Sequence, residues 1–278
     1  MVDIYYQNNY GQKIDMMAWP YKIFESDFLD YEWDYDSSYN AGTFGGKVSS
    51  FYRKTGKFSM GLAIAASSAA DYKQARDYFL QVAEKDILNM TPGRLYVGEY
   101  YLSCYLYGSK KTEWQNMSEF LINQVKIVSE YPAWCKDTKY TYTKQTSGVS
   151  EDDYPHDYPL DYLSALEIAT LINSHYAPCN IRMIIYGPCE YPSIFMGAHL
   201  YQVNTAIAAG EYLQIDTREK TIDLVAVDGS KISKFNDRNR ESDVFSPLAP
   251  GICNITWSGE FWFDIVLITE RSEPEWTI

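Results

Sequence analysis

Glu211-Tyr212-Leu213-Gln214-Ile215-Asp216, the turn Thr217-Arg218-Glu219-Lys220, Thr221-Ile222-Asp223-Leu224-Val225-Ala226-Val227, then Asp228-Gly229 and Lys231 to Phe235 form the stretch on which the fold turns. Two runs of alternating apolar and polar residues flank a short polar turn, and Asp-Gly, a strong hairpin signal, leads into a third run. This is a β meander. The same texture continues on both sides: Ile181–Tyr186 and Ser193–Met196 are apolar runs, and Ser258-Gly259 joins Ile252–Trp257 to Phe261–Ile268 with hairpin chemistry;. The second half therefore holds enough strands for a β-sandwich.

Working towards the N-terminus, residues 138–161 differ in texture. Thr/Tyr alternation (Tyr140-Thr141-Tyr142-Thr143) gives way to Ser147-Gly148 and the acidic, proline-bearing Glu151-Asp152-Asp153-Tyr154-Pro155-His156-Asp157-Tyr158-Pro159-Leu160-Asp161. Such composition suits a boundary and a long exposed loop, and places a domain junction near Asp137. The expected division is 1–137 and 138–278. At 278 residues, two domains are also the natural expectation from length;.

In the first half, turn signals such as Asn8-Asn9-Tyr10-Gly11 and Thr43-Phe44-Gly45-Gly46 separate short aromatic and β-branched runs, with Leu62 and Ile64 continuing the alternation;. The period changes at Ser67. Tyr72, Ala75, Phe79 and Val82 recur three and four apart, which predicts an amphipathic helix capped by Ser67 or Ser68, with Asp71 at its positive end, and finished near Leu88 before Thr91-Pro92-Gly93;. Arg94 to Leu106 reads as a hairpin hinged at Gly98-Glu99. Met117 to Val128 fits helix or strand, and the strand reading is preferred. The fold class expected is mainly β, with two antiparallel β-sandwich domains and one amphipathic helix in the first.

Charge and cysteines exclude several partners and compartments. The net charge of -13, with no Lys/Arg-rich block, offers no footprint for a phosphate backbone;. Cys104, Cys135, Cys179, Cys189 and Cys253 are odd in number and form no C-x-x-C pair, so free thiols are expected. The first residues carry no basic and no apolar leader pattern, and no run approaches the ~20 apolar residues of a membrane span; synthesis in a cytoplasm is expected. The 26 Tyr, 7 Trp and 12 Phe suit sheets, wet interfaces and sugar platforms alike;.

The residue patterns supply no catalytic, cofactor or metal site. Glu32, Asp34 and Asp36 alternate with Tyr31, Trp33 and Tyr35, and a glycosidase needs two acids beside an aromatic platform, but a solvated strand face over a buried Trp33 shows the same pattern and is preferred. His156 among Asp152, Asp153, Asp157 and Asp161 lacks the spacing of a calcium or zinc site, and His175 and His199 lack ligand-like neighbours. No nucleophile elbow, G-x-G-x-x-G or phosphate loop is present.

The order of motifs resembles the distal tail proteins of siphophages that infect Gram-positive bacteria. It is carried by Ile4-Tyr5-Tyr6-Gln7-Asn8, the helix, Gly93-Arg94-Leu95-Tyr96-Val97, Tyr100-Tyr101-Leu102 and Tyr131-Pro132-Ala133-Trp134. In the second half it continues through Asp157-Tyr158-Pro159-Leu160-Asp161-Tyr162, Gly210 to Asp216, Leu248-Ala249-Pro250-Gly251 and Glu270-Arg271-Ser272-Glu273-Pro274-Glu275-Trp276.

The resemblance implies an N-terminal β-sandwich that builds a six-fold ring around the tail channel, with a galectin-like sandwich outside it. It also implies a virion location at the tail tip, and as partners other copies of the chain, the tail tube protein, a tail-associated hub or lysin protein and, in some phages, receptor-binding proteins. DNA would pass the ring without specific binding, which an acidic chain suits, and no membrane insertion is implied. No enzymatic activity is expected.

The alternative function is a carbohydrate-binding module contacting host cell-surface glycan, with Trp257, Phe261 and Trp262 near a hairpin. The polar His, Asn and Arg cluster of true galectins is absent, since His199 precedes Leu200-Tyr201. Trp262 between Phe261 and Phe263 reads as packed.

Overall fold

The computed structural model describes residues 2–42, 44–113, 120–144 and 169–275. The acidic run with His156, the 145–168 part of the boundary segment, Met117, Thr43 and Trp276 lie outside the described residues. The chain divides into two compact units, Met1–Lys136 with Glu270–Ile278, and Asp137–Thr269. A division at 137 into two continuous pieces has no place for this return of the C-terminal segment to the first unit.

The first unit opens with β1 (Ile4–Gln7) and β2 (Lys13–Asp15), joined by the expected turn at Asn8 to Gly11, where the Gly11 amide donates to the Asn8 carbonyl. Then come β3 (Tyr21–Ser26), β4 (Asp34–Ser38), β5 (Lys47–Tyr52) and β6 (Gly56–Ala65). After helix α1 (Ala69–Leu88) follow β7 (Gly93–Val97), β8 (Tyr100–Glu113), β9 (Phe120–Ser129) and the start of β10 (Trp134–Tyr142).

β8 serves two sheets. Tyr100 to Cys104 pair with β7, whose ladder runs on through β1 to β2, while Tyr105 onwards pairs with β9, followed by β6 and β3. Register shifts after Leu106 and after Lys111 bend the strand between them, as bulges do;. Tyr6, Ile14, Leu62, Ile64, Leu95, Leu102, Val125 and Ile127 fill the core.

The helix forms where the period changes. Ser68 caps it by accepting from the Asp71 amide, and Ala75, Phe79 and Val82 are buried as it packs on β8, β6 and β2;. Its Asp86 is fully buried, and the carboxylate accepts the Tyr6 hydroxyl at 2.6 Å and the Asn9 amide at 2.9 Å. Without those donors a buried carboxylate costs several kcal/mol. Burial, then Cys104 and Asp86, push the Tyr6 phenol far up, so it remains a donor. A Cβ on Gly93 would overlap both the Tyr6 hydroxyl and the Asp86 carboxylate, and only glycine fits there.

The second unit continues with β11 (Ala169–Asn173), β12 (Asn180–Tyr186), β13 (Cys189–Glu190), β14 (Ser193–Met196), β15 (His199–Gln202) and β16 (Ala206–Ile207). It closes with β17 (Tyr212–Asp216), β18 (Thr221–Val225), β19 (Lys231–Ser233), β20 (Gly251–Trp257) and β21 (Phe263–Arg271). The meander is β17-β18-β19, antiparallel throughout, and the sheet extends through β12 and β21 to β10. A second sheet runs β11-β20-β14-β15. Ile181, Met183, Ile185, Leu213, Ile215, Phe263 and Ile265 from one sheet meet Leu171, Ile194, Met196, Ile255 and Trp257 from the other, which makes this unit a β-sandwich;.

The Ser258-Gly259 reading needs correction. β20 and β21 lie in different sheets, so this connection crosses the sandwich instead of closing a hairpin. Gly259 takes φ +78, and the Trp257 indole N–H donates to the Phe261 carbonyl at 3.1 Å, which turns the chain over the core;. All five cysteines are free thiols. The described chain is mainly antiparallel β with one α-helix, and no described helix is long and apolar enough to cross a membrane.

Candidate functional site

The first unit carries an arm. β4 and β5 pair with each other and with no other described strand, and the side chains on both faces of the ribbon are largely open to solvent. Tyr31, Trp33, Tyr35, Tyr39, Phe44, Val48, Phe51 and Tyr52 are all exposed, Phe44 completely. Tyr35 and Phe51 face each other across the ribbon with ring centroids 6.2 Å apart. A two-stranded ribbon without a packed face is marginal in water, and solvated aromatics contribute little to holding it.

At its root the arm is fastened by polar contacts. The Arg53 guanidinium stacks over Trp33 at 4.2 Å and donates to the Pro132 carbonyl at 2.9 Å and the Ser272 hydroxyl at 2.7 Å. Lys54 pairs with Asp34 at 2.9 Å, and the Ser50 hydroxyl donates to Asp36. The expected buried Trp33 is thus wrong: the indole lies exposed beneath a guanidinium, because among the described residues the ribbon has no second layer to cover it. Glu32 and Asp34 do line a cleft of about 390 Å³ with Asp27, Asp30, Arg53 and Trp134. Asp34 is tied to an exposed lysine there, which describes an anchored hairpin base better than an acid and base around a substrate;.

The same unit also has a groove. Trp19, Pro20, Tyr21 and Ala66 form one wall and Asp71, Gln74, Ala75, Tyr78 and Gln81 of α1 the other, around about 830 Å³. Trp19 is exposed. Arm and groove are different patches of one molecule, the arrangement that a head-to-tail contact between copies requires.

In the second unit the aromatic residues singled out as a sugar platform part company. Trp257 and Phe261 are buried in the sandwich. Trp262 is exposed, which overturns its reading as packed: Phe261 and Phe263 take the inward positions and leave the residue between them facing out;. Its ring stacks on Tyr186 at 4.4 Å, and Tyr186 neighbours Tyr212 at 6.2 Å. The Tyr186 hydroxyl donates to Asp264 at 2.7 Å, as does Thr141 at 2.7 Å, and Lys139 pairs with the same carboxylate at 2.8 Å. Burial alone would raise the Asp264 carboxyl, but these three donors hold it below its usual range;. Burial, then Asp264, push the Tyr186 phenol up to about 12.

His199 Nε2 lies 2.7 Å from the Asp243 carbonyl oxygen, and His175 packs on Tyr176. No group of three metal-ligating side chains occurs among the described residues. Sequence reasoning missed the arm, although a signal was present: between Tyr31 and Tyr52 aromatics fall on both alternating faces, with few aliphatic residues to form a core.

No family model matches the sequence, and no curated protein does. Solved structures match in fold. The chain is similar over 97% of its length, and 99% of the other chain, to the SPP1 Dit (gp 19.1) protein, described as a paradigm of hub adsorption apparatus in Gram-positive infecting phages, with a TM-score of 0.60 and 9% identity. It is similar over 98% of its length, and 99% of the other chain, to a chain of the phage P2 baseplate in its activated conformation with Ca, at TM-score 0.66 and 11% identity. With the same baseplate in Sr the figures are 99%, 100%, 0.67 and 12%. The fold of both units is therefore shared with phage Dit and baseplate proteins, as the ordered motifs implied.

Proposed function

We propose that this chain is a structural, non-enzymatic distal tail protein of a tailed phage, whose copies close into a six-fold ring joining the tail tube to the tail-tip hub or baseplate. The observation that carries the reading is the whole-length fold likeness to Dit and baseplate chains, covering both units and not one common domain. The unpartnered arm supports self-assembly. An aromatic ribbon exposed on both faces gains most by being covered, and a neighbouring copy offers the groove beside α1;. A stable contact needs about 800 Å² from each partner.

In this reading the ring-forming domain is the first 137 residues with the returning C-terminal segment. The remainder is a galectin-like sandwich set outside the ring, and in some tails such rings carry receptor-binding proteins. The virion tail tip is its location, the tail tube protein and hub or lysin protein are its neighbours, and DNA passes through without specific contacts. The charge of -13 suits such a passage, since a basic bore would hold the phosphates;.

Native mass spectrometry and negative-stain imaging of the purified chain test this, alone and with its tail-tube partner. Rings are expected, and Tyr39→Ser with Phe44→Ser should leave folded monomers. A chain that stays monomeric and never co-assembles with tail proteins would overturn the proposal.

A further inference from the structure

We propose that the solvent face of the larger sheet in the second unit carries a binding platform for a neutral glycan, centred on Trp262. This goes beyond the scaffold role and does not depend on ring formation. Residues alternate along β12: Ile181, Met183 and Ile185 enter the core, and Arg182, Ile184 and Tyr186 face out;. Tyr186 stands opposite Tyr212 in register, and Trp262, at the entry to β21, lies flat against Tyr186 with 25° between the rings. One face of the indole is thereby supported and the residue remains 46% exposed. A tryptophan held rigid by a second aromatic loses little conformational freedom on binding, which is what a stacking platform requires.

A pyranose offers a flat C–H face of slight positive charge, which an electron-rich ring face attracts, and a rim of hydroxyls that need polar partners. The same sheet face supplies that rim. Thr141 and Lys139 stand exposed beside Tyr186, anchored from below by the buried Asp264, and Gln214 is two residues along β17 from Tyr212.

Charge indicates which glycan. The Lys139 ammonium is neutralised by Asp264 and the Arg182 guanidinium by Asp216, so these strands offer no uncompensated cation to a phosphate or a carboxylate. Size separates a sugar from a protein partner. Three partly exposed rings present far less than the ~800 Å² per side of a stable protein contact, while one pyranose covers one or two rings.

The test uses the full-length chain and a panel of neutral hexose and N-acetylhexosamine oligosaccharides, with poly(glycerol phosphate) as the anionic comparison. Calorimetric titration and tryptophan fluorescence are read together. A neutral oligosaccharide should bind and shift the fluorescence, Trp262→Ala should weaken binding at least about ten-fold, and Trp262→Phe should stay within about three-fold, because stacking survives. Should Trp262→Ala not fold, Tyr212→Ala carries the same expectation. The proposal is overturned by binding of the anionic polymer alone, by neutral binding that survives Trp262→Ala, or by no binding at all. Each of these outcomes leaves ring assembly to be judged separately by imaging.

Discussion

Two hairpins in this molecule start from similar ingredients and end in opposite environments. β4–β5 and β17–β18 are both antiparallel pairs with tyrosine and aspartate in their strands. In β17–β18, Leu213, Ile215, Ile222 and Leu224 fall on one face and are buried against a second sheet. In β4–β5 the large side chains fall on both faces, and every residue of β5 is exposed. Aromatic β-propensity forms either ribbon; aliphatic residues on a single face decide whether it becomes a core strand or a surface for something else.

The strongest way to break this comparison is to empty the buried hairpin. Ile215→Ala removes a side chain that is 1% exposed, and should cost about 2–5 kcal/mol in chemical denaturation;. A cost below 1 kcal/mol would mean that the sandwich core does not hold the meander as described.

A smaller effect separates the acids of the two regions. Asp264 is buried among Lys139, Tyr186 and Thr141, whereas Asp34 shares an exposed pair with Lys54. The depressed folded-state carboxyl of Asp264 means that its stabilisation is complete above the unfolded value of about 3.9, and is lost as pH falls through the lower folded value;. Asp264→Asn should cost about 1–2 kcal/mol at pH 7 and flatten the fall in stability below about pH 4. Equal acid sensitivity in wild type and variant would remove this account.

The smallest effect should come from the arm. Phe51→Ser is expected to change monomer stability by no more than about 0.5 kcal/mol, because the ring is already in water, while concentration-dependent assembly weakens;. A large loss of monomer stability would show that the arm is a folding element, and the contrast between the hairpins would fail.

Legibility followed the same division. The Ser68 cap, the helix through Leu88, the turn at Gly98-Glu99 and the meander were readable because capping, helical period and turn chemistry act between residues a few positions apart;. Readings of exposure failed where a distant layer decides. Trp33 lost its expected burial because no described layer packs over the arm, and Trp262 faces out because Phe261 and Phe263 take the inward positions.

The order of strands, the helix, the free thiols and the acidic charge were thus settled by residue types and their local spacing. Which aromatics are covered, which acid is held by three donors from two other strands, and which face remains open were settled only when β10, β12 and β21 came together across more than a hundred residues of chain. Burial belongs to that assembly, since a side chain's alternation names its face but not what will lie against it.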